Sequence, residues 1–175
     1  VTLAPKDSEV LLIAENKYAT PEPVSTQVRR PSKLAATSSS SAAPYYEKYD
    51  TLYMLVIAVN KYPGDWALQQ PVKDASDFSS QMARVVAAGK SKLPIYDKLV
   101  VHKIVDEKAS QDGVREELKW LSQNVKANDA VVLFLAGHGT TENQSYYFIP
   151  HVEKLAKKKE KWVSGKDIIS MLEEI

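Results

Sequence analysis

The chain lacks cysteine and long apolar runs, and each absence excludes a kind of site or a class of protein. None of its 175 residues is cysteine, which excludes disulfides and thiolate metal sites within this chain. No apolar run approaches the roughly 20 residues that a membrane-spanning helix needs. The N-terminus shows no basic stretch followed by a signal-type apolar run. We therefore expect a cytoplasmic protein with no membrane partner.

Several sequence motifs and an excess of one charge are also missing. The 23 Lys and Arg residues are nearly balanced by 22 Asp and Glu residues, so charge gives no reason to expect a nucleic-acid partner. The sequence has no G-x-S-x-G elbow, no P-loop and no dinucleotide-binding fingerprint. No group of histidines and carboxylates has the spacing of metal ligands, so we predict no bound transition metal.

The composition divides the chain into three parts. Residues 1–19 include one candidate strand, SEVLLIA, which is either the tail of an upstream domain or a strand that docks on the main sheet. Residues 20–45 are dominated by Pro, Ser, Ala and Thr, a composition typical of a linker that buries little apolar surface. Residues 46–175 are predicted to form one folded domain.

Short apolar runs alternate with helix-like segments in this third part, which is typical of an α/β fold with parallel strands. The predicted strands are residues 52–60, 98–105 and 130–136, with a shorter candidate at 146–150. Apolar residues at helical spacing predict helices over residues 72–88 and 111–125 and from about residue 164 onward. Ser164 is the expected N-cap of the last helix.

The stretch VVLFLAGHGTT, residues 131–141, places His138 directly after an apolar strand, between Gly137 and Gly139. In open α/β sheets, ligands and catalytic groups collect at the carboxyl ends of the strands. His138 is therefore a candidate catalytic base, and the alternative is a hydrogen-bonded loop histidine. His102 and His151 are predicted to be structural.

The segment YMLVIAVNKYPGDWALQQPVKDASDF, followed by DAVVLFLAGHGT and YYFIP, resembles the caspase-like cysteine peptidases, in particular their bacterial and metacaspase branch. The resemblance covers roughly residues 52–175 and implies a three-layer sandwich, here a partial domain with a mostly parallel sheet. It also implies that His138 is the histidine of a Cys-His dyad. The backbone amide of Gly139 would contribute to the oxyanion hole.

The nucleophilic cysteine of this family is expected beyond residue 175. Caspase-type signatures place the histidine about 50 residues before the cysteine, and 37 residues follow His138. We therefore expect the chain to be the large-subunit portion of an endopeptidase. It should be inactive alone and should need the part that carries the cysteine as its partner. The alternatives are a non-catalytic caspase-like module and a ligand-binding α/β domain in which Gly-His-Gly only turns the chain.

The resemblance also bears on the substrate, a protein or peptide. Classical caspases bind aspartate through an arginine after the first strand, and residues 58–80 contain no arginine. Metacaspases use acidic residues instead, and Asp74 matches one of these, which favours cleavage after Arg or Lys. Alternatively, Asp74 caps its helix. The lysine-rich residues 153–162 form either a solvated face or a site of self-cleavage. No cofactor is implied, with calcium activation known from some metacaspases as an open alternative.

Overall fold

A three-stranded parallel sheet forms the centre of the computed structural model, which describes residues 8–12, 24–28, 49–89, 95–152 and 159–173. Its strands are β3 (Tyr49–Ala58), β4 (Tyr96–Val105) and β5 (Ala130–Ala136), in the spatial order β4-β3-β5. All three were predicted from their apolar runs, and β5 matches its predicted bounds. Within the described strands β3 is central, so β5, which leads to His138, lies at an edge.

Helices cover both faces of this sheet. They are α1 (Pro71–Gly89), α2 (Gln111–Asn124) and α3 (Gly165–Glu173). The apolar residues of α1 pack on one face, and those of α2 and α3 pack on the other. The predicted α/β fold, a mostly parallel sheet flanked by helices in a partial domain, is therefore confirmed.

Strand β3 is buried on both faces because its side chains alternate between two apolar clusters. Leu55 and Ile57 face the α2 and α3 side, whereas Met54 and Val56 face α1. All four side chains are at most 1% exposed. A continuous apolar run is what a strand buried on both faces requires.

The chain leaves the parallel sheet after β5 and forms a small antiparallel sheet. Strands β6 (Gly139–Glu142), β7 (Ser145–Phe148) and β8 (Val163–Ser164) lie in that order. Asn143 and Gln144 both have positive φ, 48° and 62°, as a two-residue type I′ hairpin requires. The fourth predicted strand, residues 146–150, thus overlaps β7, but it is antiparallel and does not extend the main sheet.

Two N-terminal strands, β1 (Ser8–Leu12) and β2 (Val24–Val28), pair antiparallel. The first lies inside the predicted strand SEVLLIA. The second lies within residues 20–45, a segment for which the composition gave a linker and no strand. Val24, Thr26 and Val28 are β-branched residues at alternate positions, which favours a strand. The three-part division of the chain stays a prediction, and most of the lysine-rich segment lies outside the described residues.

Serine side chains start two of the helices. The Ser110 hydroxyl accepts a hydrogen bond from the Gly113 amide at the start of α2, at 3.2 Å. The predicted cap Ser164 accepts from the Asp167 amide at 3.0 Å. None of the helices in the described part of the chain is both long and apolar enough to cross a membrane.

Gly113 gives a prediction that opposes ordinary helix propensity. Replacing glycine by alanine inside a helix usually stabilises it by about 1 kcal/mol. A Cβ at Gly113, however, would collide with the backbone carbonyl oxygen of Lys108. We therefore expect Gly113→Ala to lower the melting temperature. Gly165→Ala is the matched control, because a Cβ there meets its nearest atom, in Tyr146, at an ordinary 3.4 Å. A Gly113→Ala protein that melts at or above the wild-type temperature would contradict this packing.

Candidate active site

The loop that follows β3 is fixed by a carboxylate from the end of β4. Asp106, which has a positive φ of 49°, accepts hydrogen bonds through one oxygen from the amides of Asn60 (2.8 Å) and Lys61 (3.0 Å). Lys61 also pairs with Glu107 at 2.9 Å, and this hydrogen bond lowers the pKa of the Glu107 carboxyl. Both side chains of the pair are 63% exposed, so the pair stabilises little. The Asp106 contacts are the ones that hold the loop.

Asn60 also fixes the start of α1. Its Oδ1 accepts from the Val72 amide at 3.0 Å, and its Nδ2 donates to the Gln69 carbonyl at 3.2 Å. The amide at the start of α1 is therefore capped by a side chain 12 residues earlier in the chain. Asp74, the alternative cap considered from the sequence, is exposed in the first turn of the helix.

His138 lies at the carboxyl end of β5, as predicted, and its ring is held by the loop after β3. Its Nε2 lies 2.7 Å from the carbonyl oxygen of Trp66. A carbonyl oxygen can only accept, so the hydrogen of this bond is on Nε2. In the neutral ring, Nδ1 then carries the lone pair and is the basic nitrogen.

Two aromatic rings border the imidazole. The Tyr62 ring centre lies 4.6 Å from that of His138, and the Trp66 ring packs edge-on at 5.1 Å. Trp66 is 47% exposed, whereas Tyr62 is 5% exposed. His138 is half-buried, so its imidazole reaches the surface while both aromatic rings pack against it.

A shallow cleft of about 390 Å³ opens beside this arrangement. Its lining consists of Lys61, Tyr62, Pro63, Glu107, His151 and Val152. Tyr62, and not the imidazole of His138, faces this cleft. The sequence correctly places His138 at a strand end, but the neighbouring cleft is lined by the segments that follow β3, β4 and β7.

Gly139 begins β6 in close contact with an aromatic ring. A Cβ at Gly139 would lie 2.8 Å from Cε2 of Tyr146, so only glycine fits here without moving that ring. Burial raises the pKa of the Tyr146 hydroxyl to about 12. The glycine whose amide is expected to contribute to the oxyanion hole therefore also accommodates Tyr146.

The amide of Gly139 points away from β7. Gly139 pairs with Phe148, and the flanking bond runs from the Ile149 amide to the His138 carbonyl at 2.9 Å. Such a flanking bond identifies Gly139 and Phe148 as a non-hydrogen-bonded pair of the antiparallel ladder. The N–H of Gly139 is therefore directed to the outer side of β6 and not into the small sheet.

The structure does not join the third predicted site residue to the other two. Asp74 lies in the first turn of α1, after the loop that starts at Asn60, and its amide donates to the Gln70 carbonyl at 2.9 Å. The contacts described for His138 come from Tyr62 and Trp66 of the same loop. Among the described residues, no hydrogen bond or ring contact joins Asp74 to His138.

The other two histidines have separate environments. His102 lies on β4, where Nδ1 is 2.7 Å from a Glu117 oxygen and the ring stacks on Trp120 at 3.7 Å. His151 lines the cleft, and its amide donates to the Ala109 carbonyl at 2.9 Å. Across the described ranges, no three His, Asp or Glu side chains gather in a group that could hold a metal ion.

Two residues that hold His138 were not identified as site residues from the sequence. Trp66 contributes a backbone carbonyl, which no side-chain pattern can indicate. Tyr62 contributes a buried hydroxyl that accepts from the His138 amide at 3.0 Å. The quoted segment NKYPGDW contains both residues, and its position at a strand end is the signal that could have drawn attention to them.

Comparison with known proteins gives the family of the chain. A family model described as the caspase domain, a peptidase family, matches residues 52–174. No curated protein matches the chain. The match spans more than two thirds of the sequence and includes β4, β5, all three helices and the loop that holds His138. The chain therefore belongs to the caspase-domain family of peptidases.

Proposed function

We propose that this chain is the base-bearing part of a cysteine endopeptidase, in which His138 activates a cysteine expected beyond residue 175. The observation that carries the proposal is the 2.7 Å hydrogen bond from His138 Nε2 to the Trp66 carbonyl. This bond orients the ring and leaves Nδ1 as the proton acceptor. A cysteine nucleophile needs such a base to form its thiolate.

In the proposed reaction, Nδ1 of His138 takes the thiol proton and the thiolate attacks the carbonyl carbon of the substrate. The resulting oxyanion receives a hydrogen bond from the Gly139 amide, whose outward direction supports this role. The protonated imidazole then gives its proton to the leaving amine, and a thioester forms. Water, deprotonated by His138, attacks the thioester, releasing the carboxylic acid and regenerating the thiol.

The edge of β5 is where we place the strand that brings the cysteine. All seven residues of β5 are apolar in type but only partly buried, whereas residues 54–58 of its neighbour β3 are all buried. In the described sheet, β5 pairs with β3 alone. A parallel strand added at this edge would lie about 4.8 Å away, so that its carboxyl end would meet the carboxyl end of β5. A side chain there would reach His138.

For specificity we propose cleavage after Arg or Lys, with Asp74 as the charge that selects them. The carboxylate of Asp74 is exposed and is not used as the cap of α1. It therefore stays available to a substrate cation. A carboxylate binds a guanidinium through charge-assisted and bidentate hydrogen bonds. The remaining expectations, a cytoplasmic location and a partner chain or segment that carries the cysteine, belong to the same proposal.

One observation favours a second function. The chain contains no cysteine, and a caspase-like domain without its nucleophile can still present the same surfaces to a partner. In that case the protein is a regulatory or interaction module, and the base would be retained without catalysis. The coding sequence downstream of Ile175 separates the two proposals.

The direct test is to express the reading frame that continues beyond Ile175 and to assay peptide cleavage. We expect cleavage of Arg or Lys peptides that is abolished by thiol alkylation. His138→Ala should lower kcat by at least about a hundredfold, the range of a lost general base. His151→Ala is the matched control and should retain activity. Cleavage that is insensitive to His138→Ala, or a continuing frame without a cysteine, would contradict the peptidase proposal.

Asp74→Ala tests the specificity in the same protein. We expect kcat/KM on Arg peptides to fall by about 30-fold or more, since losing one partner of a charge pair that the substrate buries costs about 2 to 5 kcal/mol. The melting temperature should change little, because the Asp74 side chain is exposed. Asp77→Ala removes another exposed carboxylate from the same helix as a control. Equal Arg cleavage by the Asp74→Ala protein would refute this role.

A further inference from the structure

The hydrogen-bond ladder between β6 and β7 is interrupted by a side chain at its end, where His138 lies opposite Ile149. In the ladder between β6 and β7, residues 138 and 149 come next after the Gly139 and Phe148 pair. By alternation, His138 and Ile149 should exchange two direct backbone hydrogen bonds. Only one forms directly, from the Ile149 amide to the His138 carbonyl at 2.9 Å.

The hydroxyl of Tyr62 occupies the place of the second bond. The His138 amide donates to Tyr62 Oη at 3.0 Å, and the same hydroxyl donates to the Ile149 carbonyl at 2.6 Å. Burial raises the pKa of this hydroxyl above its ordinary value, so it keeps the proton that it donates. Both backbone groups are thus satisfied through a third residue, and the two strands are held apart at His138.

Gly137 makes room for this insertion. Its φ is +157°, and a Cβ at this position would lie 2.6 Å from Tyr62 Oη. The first glycine of Gly-His-Gly therefore admits the hydroxyl, whereas the second accommodates Tyr146. The Tyr62 ring continues from this hydroxyl to the imidazole of His138, with ring centres 4.6 Å apart.

From this geometry we infer that Tyr62 is a positioning residue, which sets the backbone of His138 so that the imidazole can reach the Trp66 carbonyl. The inference rests on the proposed function, in which the His138 imidazole is the base. Tyr62 does not touch the reacting atoms. Its hydroxyl fixes the main chain at the point where the side chain departs, and its ring limits where the imidazole can lie.

Tyr62→Phe tests the inference in the chain as it stands, because the substitution keeps the ring and removes only the hydroxyl. Nuclear magnetic resonance can follow two signals, the backbone amide of His138 and the Nε2 proton in its bond to Trp66. We expect exchange of both protons with water to rise by about tenfold, as loss of one ordering hydrogen bond implies. In the protein that carries the cysteine, kcat should fall while KM stays nearly constant.

Tyr53→Phe is the matched control. Its hydroxyl also donates to a backbone carbonyl, that of Asn124 at 3.3 Å, but at the end of α2. Tyr53→Phe should leave both His138 signals unchanged even if it lowers the melting temperature. This contrast separates positioning of His138 from general stability.

Gly137→Ala tests the same insertion from the other side, because a methyl group there would displace the hydroxyl without removing it. This variant also provides a test of the inference if the Tyr62→Phe protein does not fold. If the Tyr62→Phe protein folds and its two His138 protons exchange with water at the wild-type rate, the inference is overturned. If only the Gly137→Ala protein folds, the same result in that protein overturns it. The two proton signals are measured in the chain without the cysteine. Unchanged exchange would therefore leave the peptidase proposal standing. Conversely, a failure of the extended protein to cleave peptides would not change what the signals show about Tyr62.

Discussion

The loop after β3 ties the ends of three strands and one helix together, and the geometry at His138 depends on it. Asp106 at the end of β4 accepts hydrogen bonds from the amides of Asn60 and Lys61 near the start of the loop. Asn60 caps α1, and Tyr62 bridges His138 and Ile149. Farther along the same loop, Trp66 binds the imidazole. Because β3 is packed on both faces, the start of the loop is fixed in position. The hydrogen bonds of the loop then fix the candidate site relative to the sheet.

The sequence predicts the parallel sheet and its helices well. Strands buried on both faces appear as continuous apolar runs, and helices appear as apolar residues that recur every three to four positions. It also places His138 at a strand end. It does not predict β2 or the antiparallel direction of β7, since strands of only five and four residues give too short a pattern to fix a strand or its direction. The cap from Asn60 and the bridge from Tyr62 arise between residues distant in sequence, and Trp66 acts through its backbone. Such contacts form only once the fold brings the loops together.

The proposed catalytic parts are divided between segments of a single sheet. Base and oxyanion donor come from adjacent residues at the end of β5, so their separation is set by the backbone itself. In the proposed enzyme the nucleophile would come from the part that carries the cysteine, and the partly buried edge of β5 is where we place that part. Activity would therefore depend on completing the sheet, which couples folding of the remaining domain to assembly of the site. Under this proposal the chain would hold the base and the oxyanion donor in place before the cysteine is added.

The central claim is that His138 is held with its hydrogen on Nε2 and its basic lone pair on Nδ1. Nitrogen-15 resonance of the histidine ring in the wild-type chain tests this most directly, with His138→Gln used to assign the signals. At a pH where the ring is neutral, the account predicts a water-protected Nε2 proton that is close in space to Trp66 and an unprotonated Nδ1. A ring that carries its hydrogen on Nδ1, or that exchanges freely between the two forms, would contradict it.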